Sequence, residues 1–245
     1  METTKKNNFK LQVEIWSDVI CPFCYIGKRK FEKALEQFPY RDNINVIWKS
    51  FQLDPFAVTD PTLNTMEHLS RKKGWSAKQT NDSTAYITGM AKQAGLDYHF
   101  EKAIVANSFN AHRLSHLAKK YGKQNELEEK LFAAYFTEGK NTDDYDTLLQ
   151  MGISVGLDEK EVSEVLKTDA YSDEVKHDIA HANQIDVRGV PYFLIDDKYA
   201  ISGAQDEAIF LQTLNKAYSE HKEPDIIEVL PTDNYSVCGP EGCEV

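Results

Sequence analysis

Two cysteines at the start of a predicted helix are the residues of this chain best suited to chemistry. They stand in the motif Cys21-Pro22-Phe23-Cys24, directly after an apolar, strand-like run from Val13 to Ile20. Unpaired backbone N–H groups and the positive end of the helix dipole favour a thiolate over a thiol at a helix N-terminus. The motif therefore predicts dithiol–disulfide exchange, with Cys21 as the nucleophile and Cys24, one turn further into the helix, as the resolving thiol.

The elements that must position this motif follow a β-α-β order. Leu11 to Ser17 is predicted as a strand, Phe23 to Phe38 as a helix, and Ile44 to Trp48 as a second strand. Pro22 stands in the first helical turn, where its missing N–H costs nothing. We therefore expect a parallel strand pair with a helical crossover that begins at the dithiol.

The rest of the chain divides by pattern into a helical stretch, a hairpin with a closing helix, and a tail. The predicted division is 1–60 and 186–222 for the two parts of one domain, 61–185 for a helical insertion, and 223–245 for an extended tail. Four glycines at the ends of the helical stretches predict C-terminal caps with positive φ: Gly95, Gly122, Gly139 and Gly156. The hairpin is predicted from Pro191 to Ser202, with its turn at Asp196-Asp197.

Composition narrows the possible partners and the compartment. The chain has 245 residues and a formal net charge of −11, without a basic cluster that would bind nucleic acid. Met1 to Lys10 lacks the apolar core of a secretory signal, and no apolar run is long enough to span a membrane, so we expect a cytoplasmic protein without a membrane partner. Four cysteines in two close pairs indicate redox or metal chemistry, not a disulfide scaffold.

Several runs along the chain, in the same order, resemble DsbA-like proteins of the FrnE type. They are Val13 to Lys28, Phe51-Gln52-Leu53-Asp54-Pro55, Asn110 to Leu114, Ala134 to Gly139, Gly189-Val190-Pro191-Tyr192-Phe193 and Ile201 to Gln205. The resemblance implies an α/β thioredoxin fold with an all-helical insertion between the second and third core strands. It also implies a dithiol–disulfide oxidoreductase.

The same resemblance implies the make-up of the active site. Pro191 would be cis and would present the Val190 backbone to an extended substrate, with Pro22 and Phe23 completing the substrate-binding residues. Substrates would be protein or small disulfides, and the site would hold no metal and no cofactor beyond its redox-active disulfide. An external thiol donor such as glutathione or thioredoxin could reduce it. DsbA itself has a histidine where this chain has Phe23, so we expect a reductase or isomerase more than an oxidase.

The second cysteine pair, Cys238 and Cys243, has two interpretations. Gly239 and Gly242 let the backbone fold sharply enough to close a bridge, and the resemblance implies a relay to the Cys21–Cys24 pair. The alternative is two exposed thiols without a role in turnover. All four cysteines could instead bind zinc, which we regard as the weaker hypothesis.

Two further functions stay open beside the oxidoreductase. The first is a glutathione-dependent isomerase or transferase, because kappa-type glutathione transferases and hydroxychromene-carboxylate isomerases resemble this architecture, although they have a serine at the catalytic position. In such an enzyme, Asn110, His112 and Arg113 would bind a substrate carboxylate. The second is a holdase that binds unfolded clients. The oligomeric state is also left open. We prefer a solvated surface for these three residues, and we expect the histidines, including the His112/His116 pair, to lie on the surface.

Overall fold

Strands at both ends of the chain enclose a long, mainly helical stretch. The structure is a computed structural model that describes residues 10–221 and, for the backbone only, 238–239 and 242–243. The elements in chain order are β1 (Leu11–Ser17), α1 (Pro22–Gln37), β2 (Ile44–Ser50), β3 (Asp60–Asn64), α2 (Thr65–Lys73), α3 (Ala77–Gln93), β4 (Ile104–Val105), α4 (Phe109–Lys120), α5 (Gln124–Ala133), α6 (Tyr145–Ser154), α7 (Glu159–Lys167), α8 (Ser172–Gln184), β5 (Tyr192–Ile195), β6 (Tyr199–Ser202), α9 (Glu207–Glu220), β7 (Cys238–Gly239) and β8 (Gly242–Cys243). A 3₁₀ turn (Arg41–Asn43) precedes β2, and a π-helical turn (Ala134–Glu138) follows α5.

The central sheet has the strand order β2-β1-β5-β6. β1 is parallel to β2 and antiparallel to β5, and β5 and β6 form a hairpin. Asp196 and Asp197 at the hairpin turn have φ values of 56° and 51°, the left-handed conformation that a tight two-residue turn requires. The β-α-β unit, the hairpin and its turn are therefore confirmed.

Helices cover both faces of the sheet, which makes β1 a buried central strand. On one face, the ring of Phe31 from α1 lies 5.5 Å from that of Phe193 on β5 and 5.7 Å from that of Phe210 on α9. On the other face, Trp16 packs with Ala182 of α8. Burial on both sides fixes the end of β1, and with it the start of α1, in one position.

The insertion between β2 and β5 is helical but not all-helical, which corrects the prediction. β3 and β4 form a short antiparallel ladder, in which Asp60 pairs with Val105 and Asn64 pairs with Ile104. A two-residue strand is too short to show the alternating pattern by which strands are predicted. The glycine caps are confirmed, with φ values of 82°, 65°, 68° and 90° at Gly95, Gly122, Gly139 and Gly156.

The division of the chain into domain segments stays a prediction. In the tail, the backbones of β7 and β8 pair with Cys238 opposite Cys243, and the predicted extended tail otherwise lies outside the described residues. Within residues 10–221, no helix combines the length and the apolar character needed to cross a bilayer.

Candidate active site

The dithiol lies where β1 ends and α1 begins. Cys21 precedes the first helical residue, Pro22, and has an extended backbone with φ −91° and ψ 112°. The Cys21 N–H donates to the Asp18 carbonyl at 2.9 Å, and the Cys24 N–H donates to the Cys21 carbonyl at 3.1 Å. The positive end of the α1 dipole therefore lies at Cys21, as the motif predicts.

The two thiols are both free and nearly inaccessible, but their surroundings differ. Cys21 is 3% exposed and Cys24 is 1% exposed. Burial and a hydrogen bond with Cys21 raise the pKa of Cys24 well above its usual range. The Ser17 hydroxyl and the Asp18 backbone lower this pKa, but they offset only part of the rise. Cys24 is thus a protonated thiol at neutral pH, as expected for the cysteine that reacts second.

The Val190–Pro191 segment, from the C-terminal part of the chain, borders Cys21. Its peptide bond is cis, as the family resemblance implies, and the Cys21 thiol donates to the Val190 carbonyl at 3.5 Å. The Pro191 carbonyl accepts a hydrogen bond from the Gly203 N–H at 2.8 Å, which ties the segment to the end of β6. Val190 is half-buried and Pro191 is buried. Of the two residues, Val190 is therefore the more accessible to solvent.

Gly27 lets the Pro191 segment lie close to α1. A Cβ atom at Gly27 would be 2.9 Å from Pro191 Cγ and 3.5 Å from the Phe193 ring. Such a separation is shorter than ordinary packing allows. Gly27 is not predictable as a site residue, because an isolated glycine in a helical pattern is only a weak signal of close packing.

Tyr98, from the insertion, supports the motif. Its hydroxyl donates to the Pro22 carbonyl at 2.7 Å, and the side chain is buried. Burial raises the pKa of Tyr98 far above its usual range, and its interactions with the Cys21 and Cys24 sulfurs raise it further. Tyr98 is thus a neutral hydrogen-bond donor beside both sulfurs. No local pattern indicates this contact, which joins residues 76 positions apart.

A buried aspartate and a buried histidine lie beneath the loop that precedes the dithiol. The Asp18 carboxylate accepts hydrogen bonds from the Leu53 N–H at 2.7 Å and from the Ile20 N–H at 3.4 Å. His112 Nε2 lies 3.6 Å from Asp18 Oδ1. Burial alone would lower the pKa of His112, but the negative charges of Asp18 and Glu128 outweigh it and raise this pKa. Asp18 thus joins the loop between β1 and α1, which leads into the dithiol, to the segment after β2 and to α4.

The prediction that the His112/His116 pair lies on the surface is wrong. His112 is 3% exposed and His116 is 7% exposed, and His116 Nε2 lies 3.1 Å from Asp178 Oδ2. The solvated position preferred for Arg113 is also wrong, because its guanidinium donates to the Val165, Thr168 and Ala170 carbonyls. α4 is enclosed by other helices and by β2, and periodicity within one helix cannot show burial on its polar side.

Asn110 does not complete a carboxylate-binding site either. Its amide donates to Asp143 Oδ1 at 2.8 Å and its carbonyl oxygen accepts from Arg113 at 2.9 Å. The residues described with side chains contain no group of three or more His, Cys, Asp or Glu that could hold a metal ion. The alternative four-cysteine zinc site would need Cys238 and Cys243, whose side chains lie outside the described part of the chain.

Residues 12–215 match the model of the DSBA-like thioredoxin domain. The chain belongs to this family. It is a thiol–disulfide oxidoreductase by family, and its membership of the FrnE-type branch stays a prediction. The four-stranded sheet, the closing helix α9 and the helical insertion are the thioredoxin arrangement that the resemblance implies.

Individual relatives agree with this family. YwbO of Bacillus subtilis (strain 168) is 30% identical over 208 residues, which are 84% of this chain and 96% of YwbO. A "probable DsbA oxidoreductase" from Streptomyces coelicolor is similar in structure, with a TM-score of 0.81 and 36% identity over 96% of this chain and 99% of that one. DsbM of Pseudomonas aeruginosa, a cytosolic disulfide reductase, shares the fold alone, with a TM-score of 0.62 and 14% identity over 85% of this chain and 100% of DsbM.

Proposed function

We propose that this chain reduces or isomerises protein or small disulfides, with Cys21 as the nucleophile and Cys24 as the resolving thiol. The observation that carries the proposal is the setting of Cys21, whose sulfur lies at the N-terminus of α1 and 3.5 Å from the carbonyl oxygen of Val190. The N-terminus of a helix favours the thiolate form of a cysteine. The Val190 carbonyl provides a backbone hydrogen-bond acceptor at the place where an extended substrate must lie.

The reaction proceeds in two exchanges. Cys21 first loses its S–H proton to solvent, and the resulting thiolate attacks one sulfur of the substrate disulfide. The attack forms a mixed disulfide and releases the other sulfur as a thiolate, which takes up a proton. Cys24 then loses its proton and attacks the Cys21 sulfur, which forms the Cys21–Cys24 disulfide and releases the second substrate thiol. The substrate gains two electrons, and an external thiol donor such as glutathione or thioredoxin restores the dithiol.

The Val190 carbonyl has a different partner at each stage. In the dithiol form it accepts a hydrogen bond from the Cys21 S–H, which is lost when Cys21 gives up its proton and forms the mixed disulfide. The carbonyl oxygen is then available to a backbone N–H of an extended substrate, in the manner of strand addition. Pro22 and Phe23, both half-buried beside Cys21 in the motif, complete the proposed substrate-binding residues.

Our proposals for the direction of the reaction and for the compartment rest on the motif and on composition. Phe23 supplies no charge or polar N–H that would hold the Cys21 thiolate, so we favour a reductase or isomerase over an oxidase. We propose a cytoplasmic setting, as expected from the sequence, and the cytosolic DsbM is a relative of this fold. Whether Cys238 and Cys243 form a second redox pair stays a prediction.

The carboxylate-dependent isomerase is a weaker candidate on this structure. Arg113 and Asn110 are occupied by partners inside the insertion, and both ends of the motif are cysteines. A holdase has one observation in its favour, which is the exposure of Phe56 (91%) and Val58 (82%). Binding of clients through such a surface is compatible with the exchange chemistry, and replacing Cys21 separates the two.

The test is turnover of insulin with a thiol donor. We expect Cys21→Ser to reduce the rate to that of the donor alone, because the nucleophile is lost. Cys24→Ser should instead accumulate a covalent mixed disulfide with insulin, visible by mass under non-reducing conditions. Cys238→Ser/Cys243→Ser is the matched cysteine control, and it also reports whether the tail pair contributes. A Cys21→Ser variant with the parent rate would refute the proposed function.

A further inference from the structure

A cavity of about 320 Å³ opens beside the dithiol. Ile20 and Pro22, the two residues on either side of Cys21, both line it. The other lining residues come mainly from α2, α3 and the segment after β2, and most of them are apolar, including Leu53, Leu69, Trp75, Ile87, Phe100 and Val105. The active-site mechanism described above uses none of these residues from the insertion.

The charged residues that line this cavity, which we call its rim, include more lysines than carboxylates. Lys72 and Lys73 of α2 lie there with a single carboxylate, Asp54, and with His68. Lys72 forms an ion pair with Asp54, and His68 Nε2 lies 3.7 Å from the same carboxylate. Lys73 has no ion pair or hydrogen bond with any residue between 10 and 221. In a chain of net charge −11, such a rim attracts an anionic group selectively.

The size of the cavity sets what it can hold. An apolar cavity of about 150 Å³ is enough to bind a benzene ring, and sites for whole small ligands start at about 300 Å³. The present cavity therefore accommodates one large side chain together with part of its backbone. Since consecutive Cα atoms are only about 3.8 Å apart, a residue next to a cysteine bound at Cys21 reaches the lining formed by Ile20 and Pro22.

The surface outside the cavity continues its apolar character. Leu53, which lines the cavity, is 46% exposed, and Phe56 and Val58 on the same loop are 91% and 82% exposed. Three large apolar side chains exposed on one loop are unusual for a solvated surface. Because this loop also lines the cavity through Leu53, it offers apolar contacts beyond a single side chain, which favours a peptide as the occupant.

We propose that this cavity binds a large apolar side chain next to the reacting cysteine of a disulfide-bonded peptide, and that Lys72 and Lys73 bind a carboxylate of the same peptide. The proposal rests on the proposed function and specifies its substrate class. A substrate with this chemistry gains burial of its apolar side chain and a favourable charge contact, both close to the attacking sulfur.

The test compares four peptides, each with one cysteine in a mixed disulfide with 2-mercaptoethanol. The cysteine is flanked on both sides by Phe or by Ala, and the next positions are both Glu or both Lys. We expect kcat/KM for the Phe/Glu peptide to exceed that for the Ala/Glu peptide by about tenfold or more, the size of effect that filling an apolar pocket produces. The preference for Glu over Lys should be severalfold and should weaken as salt is added.

Variants assign each preference to its part of the cavity. Ser83 lines the cavity from α3 and is half-buried, so Ser83→Trp fills the space and should reduce the Phe-to-Ala ratio to about one. Lys72→Gln/Lys73→Gln should abolish the preference for Glu. Lys78→Gln, at an 84% exposed lysine outside the cavity, is the matched control and should keep both preferences. Circular dichroism checks that each variant is folded.

The outcomes separate this inference from the proposed function. Bis(2-hydroxyethyl) disulfide, too small to need the cavity, measures the state of the dithiol in every preparation. If the parent protein reduces it and all four peptides at similar rates, or if Ser83→Trp keeps the Phe-to-Ala ratio, the cavity inference is overturned and the exchange function stands. If the parent reduces neither this compound nor any peptide, the exchange function itself has failed.

Discussion

At the residue scale, the roles proposed for the two thiols follow from a single turn of helix. Cys21 lies at the end of α1, where backbone N–H groups have no helical carbonyl to bind, and its sulfur contacts Val190. Cys24 lies one turn deeper, and burial raises its pKa. The two thiols therefore differ before any substrate binds, in the sense that the proposed order of the two exchanges requires.

Tyr98→Phe tests the hydrogen bond that holds the start of the motif. The variant keeps the buried ring but removes the hydroxyl that donates to the Pro22 carbonyl. We expect the free energy of unfolding to fall by about 0.5–1.5 kcal/mol, the usual contribution of one such hydrogen bond, as measured by urea unfolding of the reduced protein. Tyr86→Phe, at a tyrosine that is 69% exposed, is the control and should change nothing. Equal stability of Tyr98→Phe and parent would show that this hydrogen bond contributes nothing.

At the scale of elements, α1 is where the separate parts of the fold meet. Its first residue accepts the hydrogen bond from Tyr98 of the insertion, its second turn contacts Pro191, and Phe31 packs between β5 and α9. The dithiol is therefore positioned by one helix that is packed on several sides. Small changes in that packing are expected to affect the site directly.

Gly27→Ala should push the Pro191 segment away from α1. The added methyl group would lie 2.9 Å from Pro191 Cγ, and overpacking of this kind costs about 1–3 kcal/mol. The gain in helix propensity, about 1 kcal/mol, offsets part of this cost. We expect a net loss of stability in urea unfolding together with slower insulin reduction, because Val190 moves relative to Cys21.

Gly89→Ala is the matched control for Gly27→Ala. Gly89 lies in α3, and a Cβ atom there would meet nothing within 4 Å. The substitution should therefore stabilise the protein by about 0.5–1 kcal/mol and leave insulin reduction unchanged. If Gly27→Ala behaves in the same way, the close approach of the Pro191 segment to α1 has no energetic consequence.

Local signals made most elements and the core of the site predictable, and contacts between distant segments account for the rest. The CxxC helix, the hairpin turn at Asp196-Asp197 and the glycine caps each depend on a few neighbouring residues. Tyr98, Gly27 and the buried state of His112 depend on packing between elements far apart in sequence. The β3–β4 ladder escaped prediction because its second strand spans only two residues.

At the scale of the whole molecule, two ionic clusters join the insertion to the thioredoxin core. Glu129 of α5 forms ion pairs with Lys28 and Arg29 of α1. Asp178 of α8 lies 2.8 Å from Lys49 of β2, and it also contacts His116 of α4. Burial alone would raise the pKa of each carboxyl group, but hydrogen bonds from these partners outweigh it and lower both values to about 2. Both clusters therefore stabilise the fold only while their carboxylates are ionised.

The low pKa of Glu129 predicts how stability depends on pH. The pKa of Glu129 in the folded protein is about 2, below the ordinary value of 4.5. As the solution becomes acidic, this carboxylate therefore takes up a proton at a higher pH in the unfolded chain than in the folded protein. The stabilisation is complete above about pH 5 and is lost progressively towards pH 2. Between pH 6 and pH 3.5, urea unfolding should show that the parent loses about 1 kcal/mol more stability than Glu129→Gln does, because glutamine does not titrate.

A control on α1 decides whether this pH dependence arises from the ion pairs of Glu129 with Lys28 and Arg29. Glu36 of α1 is exposed and has no ion pair among residues 10–221, so Glu36→Gln should lose as much stability as the parent does between the two pH values. If Glu129→Gln loses packing alone, its free energy of unfolding falls by the same amount at both pH values. The change between pH 6 and pH 3.5 would then be the same in the variant as in the parent. Parallel pH profiles for the parent and Glu129→Gln would therefore contradict the ionic role of this contact between insertion and core.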